Sequence, residues 1–348
     1  SNIWESKMWH PDYFGTVSEG FNTVRTGRWA YTEVSLNESY PITNAYGYMR
    51  APWNVNKSPY ITRVKALCGA KDWDSWPSCQ THYDVTFSGY YDVWYNYVWG
   101  SAYAPHGPVH VLIGGYANCE KQLDEMADEI SLDNSSLTTL KNSVITYLKG
   151  AWRSGLIEAP TCSWDTPQDD CTMKCTSEPS EDGGYLSALK QYITSRANAT
   201  WLNKLNHMDQ MKTVTTILCG IPYISGDQLE AGSPVDPSFW PIHPTIDRLL
   251  QYKHMVNEFS YQGWDNPDGS TQMCSDGNGC LGHNAYDITP FQSKVKDKQG
   301  NYVMMHLTNA QLYLFAHPTN YSLSYGYDNF DWEHCDAQGF TFVEPPSN

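Results

Sequence analysis

Apolar and polar positions divide the chain into stretches of different character. From 1 to 66, Pro, Gly, Asn and aromatic residues mix without a sustained period, which predicts irregular chain with short strands. Between Tyr83 and Trp99, bulky residues at Val85, Phe87, Tyr90, Tyr91, Trp94 and Val98 follow a near-helical spacing and predict a core helix. The apolar run Val109 to Ile113 is opened by Pro108, whose missing N–H costs nothing in a first helical turn. Gly114-Gly115 closes it and permits a tight turn. Helical periodicity returns at Glu120 to Ile130, Leu137 to Trp152, Tyr185 to Arg196 and Asn198 to Ile217, interrupted by a Cys- and Pro-rich stretch from Pro160 to Gly184. Thr245 to Phe259 predicts another helix, with Pro244 at its opening and Asp247 in the first turn, where the helix dipole favours a carboxylate. Asp265 to Gly282 is turn chemistry, and Tyr302 to Phe342 alternates short apolar runs with Asn, Pro and Gly, as strands and loops do.

This pattern predicts a mainly α protein: a helical bundle core with long irregular loops and short strands, plus an inserted helical subdomain. A structureless connection from Gly115 to Asp236 is not what a compact domain contains. The core is therefore assigned to 1–117 and 223–348, and the inserted, Cys-containing helical subdomain to 118–222.

The chemistry concentrates in two short segments. His106-Gly107-Pro108-Val109-His110 runs into Val111-Leu112-Ile113-Gly114-Gly115, and Asp236-Pro237-Ser238-Phe239-Trp240-Pro241-Ile242-His243-Pro244-Thr245-Ile246-Asp247-Arg248 follows much later. Two imidazoles four positions apart share one helix face and can reach one metal ion, and a third from another helix start can complete the site. Three neutral imidazoles suit copper, zinc or nickel alike. His254 lies about three helical turns beyond His243, about 16 Å along an axis, and is not assigned to the same ion. His10, His82, His207, His283, His306, His317 and His334 are read as ordinary polar residues.

These segments resemble the copper B half of the tyrosinase, catechol oxidase and haemocyanin family, whose pattern is approximately H-x-x-V-H-x-x-I-G-G followed by D-P-x-F-W-x-x-H-x-x-I-D-R. The resemblance implies a tyrosinase-like core with His106, His110 and His243 as copper ligands. It also implies that Asp247 and Arg248 steady the ligand helix from behind. Arg50-Ala51-Pro52-Trp53-Asn54 through Thr62-Arg63 resembles the segment between the two copper halves, and Leu323-Ser324-Tyr325-Gly326-Tyr327-Asp328 the closing tyrosine motif. The start at Ser1-Asn2-Ile3-Trp4 resembles the stretch just after the copper A histidines, so a companion chain carrying those histidines is the partner the resemblance implies. Many tyrosinases place Asn after the first copper B histidine and a Glu upstream. Here Gly107 and Trp99-Gly100-Ser101-Ala102 stand there, so hydroxylation of monophenols is not expected. The expected activity is oxidation of small diphenols by dioxygen once both copper halves are present. The competing expectation is a non-catalytic structural or interaction glycoprotein of an extracellular coat, filament or matrix, self-associating and retaining the fold.

Composition narrows the setting. A formal net charge of −16 disfavours a nucleic-acid partner, which demands a basic surface, and no apolar run reaches the roughly 20 residues of a membrane span. Ten cysteines in loop-like segments argue for an oxidising compartment and disulfides, with Cys68–Cys79 and Cys274–Cys280 the pairs suggested by short spacing. The Cys171-x3-Cys175 spacing leaves zinc as a lesser alternative. Sequons at Asn37, Asn56, Asn134, Asn198 and Asn320 point the same way, towards a secreted glycoprotein.

Overall fold

The computed structural model describes residues 3–17, 22–36, 42–70, 76–175, 190–191, 193–194, 199–230, 232–264, 282, 284–320, 323 and 325–345. Its regular structure is mainly helical, with short antiparallel strand pairs. The chain forms two compact units, 1–74 with 110–240 and 75–109 with 241–348. The division falls inside two helices, Gly107–Gly114 and Phe239–Val256.

In the first unit, segment 118–222 does not keep its core to itself. Leu123, Leu140, Val144 and Leu148 share one hydrophobic cluster with Val24, Val55, Ile61 and Leu67. The helix Asn134–Arg153 opens on Asp133, whose carboxylate accepts the Ser136 N–H at 3.0 Å. It buries Leu140, Val144, Tyr147, Leu148 and Ala151, a stripe of helical period. The helix expected from Asn198 to Ile217 is instead a 3-10 turn Thr200–Lys204, a helix His207–Thr215 and a π turn Thr216–Gly220. The break comes at Asn206, whose side chain accepts the Asp209 N–H at 3.0 Å and caps the following helix, a use for which Asn competes well against continued helix. Of the helix expected at Tyr185 to Arg196, only 190–191 and 193–194 are among the described residues, and they are helical.

Disulfides staple this unit. Cys162–Cys171 and Cys175–Cys219 lie within 118–222, as expected, and their oxidation rules out zinc at Cys171 and Cys175. Cys68 bonds Cys119 rather than Cys79, which bonds Cys335 in the second unit. A bridge requires Cα atoms within about 7 Å, and short separation in sequence does not supply it. The observed pairs stand at 4.9 and 5.4 Å. Cys274 and Cys280 lie outside the described residues.

Gly115 makes the turn anticipated after the Gly107–Gly114 helix. Its φ is +54°, and a Cβ there would stand 2.4 Å from the Val64 carbonyl oxygen. The Gly114 and Gly115 carbonyls accept the Val64 and Gly226 N–H groups, each at 3.0 Å. Two buried ion pairs then join distant segments of the same unit. Arg63 Nε and Nη2 donate to Asp236 at 2.6 and 2.7 Å, with both side chains fully buried. Arg50 donates to Asp227 at 2.7 and 3.2 Å and to the Tyr60 carbonyl at 2.9 Å.

The second unit is built on aromatic packing. The single helix expected from Tyr83 to Trp99 is two, Cys79–Phe87 and Trp94–Ser101, because Ser88 turns to extended backbone and a 3-10 turn follows at Gly89–Asp92. Ser and Gly are weak helix formers, and the Ser88 N–H closes on the Asp84 carbonyl at 2.9 Å. Phe239–Val256 starts earlier than the predicted Thr245, so His243 lies inside the helix rather than before it, and Pro244 is accommodated within. Its inner face buries Leu249 and Tyr252, around which Phe87, Trp332 and Phe342 gather. Lys253 is fully buried, its ammonium held by the Thr86 carbonyl at 2.7 Å and Asp92 at 3.2 Å. A ribbon pairs Ile288–Lys296 antiparallel with Tyr302–Thr308 and leads into the helix Asn309–Phe315 through a Thr308/Gln311 capping box.

Arg63→Leu leaves the Asp236 charge buried without its partner. The loss of stability is expected to be about 3–5 kcal/mol, read as a lowered urea midpoint. A change under about 1 kcal/mol would show that the pair does not hold this unit together.

Candidate metal centre

The backbone sets the histidines first. Helix Trp94–Ser101 passes into a π turn, Ala102–His106, and Gly107 continues in helical backbone into Gly107–Gly114. His106 ends the π turn, so His110 follows one turn later on the same helical run. His106 Nδ1 donates to the Ala102 carbonyl at 3.3 Å, since a carbonyl can only accept; this leaves the Nε2 lone pair facing away. In the second unit His106 Nε2 stands 3.2 Å from His243 Nε2, the rings meeting edge to face with centroids 4.8 Å apart. Burial, and then the neighbouring His106 imidazole, lower the His243 pKa, which favours the neutral, ligating form.

His110 is set by groups of the first unit. Its Nδ1 donates to the Gln228 carbonyl at 2.9 Å, again leaving Nε2 as the basic nitrogen, and its ring lies 5.8 Å from that of Phe239. Gln228 is fixed in turn by its side-chain amide, which donates to Ser238 Oγ at 2.9 Å. Ser238 donates its N–H and hydroxyl to Asp236 at 2.9 and 2.8 Å, so the Asp236-Pro237-Ser238-Phe239 segment anchors both the Gln228 loop and the start of the 239–256 helix.

Asp247 and Arg248 brace the helix that carries His243. The Asp247 carboxylate accepts the Tyr325 and Tyr327 hydroxyls at 2.8 and 2.6 Å and the Gln251 amide at 3.0 Å. The Tyr327 hydroxyl also lies 2.9 Å from the Pro244 carbonyl, next to His243. Burial, and then Asp247, raise both phenols, Tyr325 to about 12, so both stay protonated as donors. Arg248 donates to the Asn329 carbonyl at 2.9 Å and side chain at 2.8 Å, and stacks 4.1 Å over Trp332. Tyr325 and Tyr327 thus clasp the turn that carries His243.

Features without a sequence motif complete the picture. The carbonyls of Ala102 and Gln228 orient rings, and any residue type supplies a carbonyl. Glu230 is buried beside Asp227, its Oε2 accepting the Asn54 amide at 3.2 Å and the Ala51 N–H at 3.3 Å. Burial pushes its carboxyl up to about 8. His254, Glu258 and His317 form a second cluster able to hold a metal ion, with ligand atoms all within 4.8 Å of one another. The His254-x3-Glu258 spacing was its one visible signal. His306 instead donates Nδ1 to the Thr289 carbonyl at 3.0 Å within the ribbon. His334 lies beside Cys79 and Cys335, but those sulfurs are bonded to each other.

Among the sequons, Asn56 is corrected. It is 2 % exposed, and its amide donates to Thr62 Oγ1 at 2.7 Å and the Ser225 carbonyl at 3.1 Å, so no glycan fits there. Asn134 is exposed in the first turn of its helix. Asn320 ends a 3-10 turn, and Asn37 and Asn198 lie outside the described residues. No helix among the described residues is long and apolar enough to cross a membrane.

No family model, curated protein or solved structure matches the chain.

Glu230 gives a pH test. Its folded pKa of about 8 lies above the ordinary 4.5, so between those values the unfolded chain loses a proton that the folded chain keeps, and stability falls as pH rises. Glu230→Gln removes that penalty. Its advantage in thermal melts is expected to be absent near pH 4, to grow up to pH 8 and to level off at on the order of 2–4 kcal/mol. A pH-independent difference would mean that Glu230 is not held protonated.

Proposed function

We propose that His106, His110 and His243 hold one metal ion, and that the chain is the copper B half of a secreted, catechol-oxidase-like protein. The observation that carries this reading is the His106–His243 Nε2–Nε2 separation of 3.2 Å. Nitrogens about 2.0–2.1 Å from one tetrahedral ion stand about 3.3–3.4 Å apart. Opposed imidazole nitrogens at this spacing need either a shared proton or a shared cation. His110 offers the third nitrogen from the next turn of the same helical run, with its tautomer already fixed by the Gln228 carbonyl.

Copper, rather than zinc or nickel, follows from the two-segment resemblance. When bound, copper supplies the one-electron acceptor that oxidation of a diphenol requires. The chain's own residues hold the donors in place. Ala102 and Gln228 fix two rings, and Asp247 with Tyr325 and Tyr327 fixes the helix turn that carries His243. Removing two electrons from a catechol calls for a second copper, which the proposal assigns to a companion polypeptide or an adjoining segment bearing a copper A triad. The four disulfides among the described residues fit an oxidising, extracellular setting.

His243→Ala is expected to abolish copper bound at the triad, measured by copper content after dialysis against a weak chelator, while the folded chain's circular dichroism is retained. The isolated chain, copper-loaded, is expected to oxidise catechol no faster than its copper-free form. Unchanged copper content in His243→Ala would overturn the triad. Catechol turnover by the isolated chain that depends on His243 would overturn the need for a second half.

A further inference from the structure

The second unit carries another set of ligand-type side chains, away from the triad in sequence and in role. His254 lies in the last turn of Phe239–Val256, Glu258 just beyond that helix, and His317 just after the helix Asn309–Phe315. One ligand atom from each lies within 4.8 Å of the others, and His317 Nε2 approaches Glu258 Oε1 at 3.7 Å. The imidazole rings of His254 and His317 have centroids 4.3 Å apart. We infer that His254, Glu258 and His317 form a binding site for a zinc-class divalent ion, separate from the three-histidine centre.

Four observations support a built site over a chance encounter. The donor set, two imidazoles and a carboxylate, is one that zinc accepts. His254 is 7 % exposed and its Nδ1 is buried without a hydrogen-bond partner, an arrangement that is unfavourable unless something engages the ring. The other two ligands are oriented from behind. Gln262 donates its amide to Glu258 Oε1 at 3.2 Å and accepts the Tyr313 hydroxyl at 3.1 Å, and His317 Nδ1 lies 2.7 Å from Thr319 Oγ1, which leaves Nε2 for a metal. Phe259 and Tyr313 pack on His254 with ring centroids at 5.2 and 5.8 Å, an apolar wall of the kind that strengthens metal–ligand bonds by excluding water. The neighbouring Lys253, buried, has its ammonium directed to Thr86 and Asp92.

The test is equilibrium dialysis of the full chain against Zn²⁺ alone, with bound metal counted by mass spectrometry. The variants are His317→Ala, Glu258→Gln, Gln262→Ala and His243→Ala, each checked for folding by circular dichroism. One zinc equivalent is expected to persist in His243→Ala and to disappear in His317→Ala. Glu258→Gln and Gln262→Ala are expected to weaken that equivalent, Gln262→Ala by about 10- to 100-fold as for removal of an outer-shell partner. A second reading comes from Co²⁺ substitution, whose visible absorption is expected in the parent and in His243→Ala, reduced in His317→Ala and absent when the two substitutions are combined. Zinc stoichiometry and cobalt absorption unchanged in folded His317→Ala would overturn the inference. So would loss of all bound metal on His243→Ala alone. Failure of the copper reading would show only in His243→Ala, so the two proposals fall separately.

Discussion

The first unit depends on one buried contact, the two-pronged pairing of Arg63 with Asp236. Neither charge reaches water, so neither is tolerable without the other. The guanidinium also donates to the Phe14 carbonyl at 2.7 Å and lies over Trp9, so the pair draws the N-terminal loops onto the segment that starts the 239–256 helix. Asp236 uses its remaining capacity on Ser238, whose hydroxyl receives the Gln228 amide, and the Gln228 carbonyl receives His110. An ion pair thus bears, through three hydrogen-bonded steps, on which nitrogen of His110 is basic. Arg50 with Asp227 repeats the device a few residues earlier, and Glu230, whose pKa burial raises, accepts the Asn54 amide close by.

In the second unit the equivalent work is done by aromatic residues. Asp247 faces two phenols and Arg248 lies on an indole, and both come from the segment 325–332. These contacts tie the tail to the first half of the 239–256 helix. The second half of that helix leans on Trp332 and Phe342 through Tyr252 and on Phe259 and Tyr313 through His254. One helix therefore presents two sets of donors, His243 near its start and His254 near its end, each braced by residues that follow much later in the chain.

What could be read from the sequence was what is local. The spacing of His106 and His110, the opening by Pro108 and the positive-φ turn at Gly115 each follow from a few adjacent residues, and the structure has all three. That 118–222 would hold an internal disulfide was legible from its cysteines, but the pairing was not, since Cys175 and Cys219 stand 44 residues apart. Reading failed where a short-range signal competed with a long-range one. Cys68 and Cys79 are close in sequence, yet each found a distant partner. The periodic run through Val85 and Val98 hid the break at Ser88 and Gly89, because burial of both halves keeps the apolar rhythm while the backbone changes course. The Asn56 tripeptide carries no sign that folding directs its amide inward to Thr62. His317 could not be joined to His254 in advance, since nothing but the fold brings them together.

The Cys79–Cys335 bridge spans 256 residues and makes most of the polypeptide a covalent ring. His106, His110 and His243 all lie inside that ring, as do His254 and His317. A protease cutting at an exposed point such as Trp164 or Met208 opens the ring without parting it into two molecules. Such a nicked chain keeps its full mass and all five imidazoles until a reductant reaches the bridge, whose two cysteines are themselves buried. Backbone scission and loss of these imidazoles are thereby uncoupled for as long as the bridge stays oxidised.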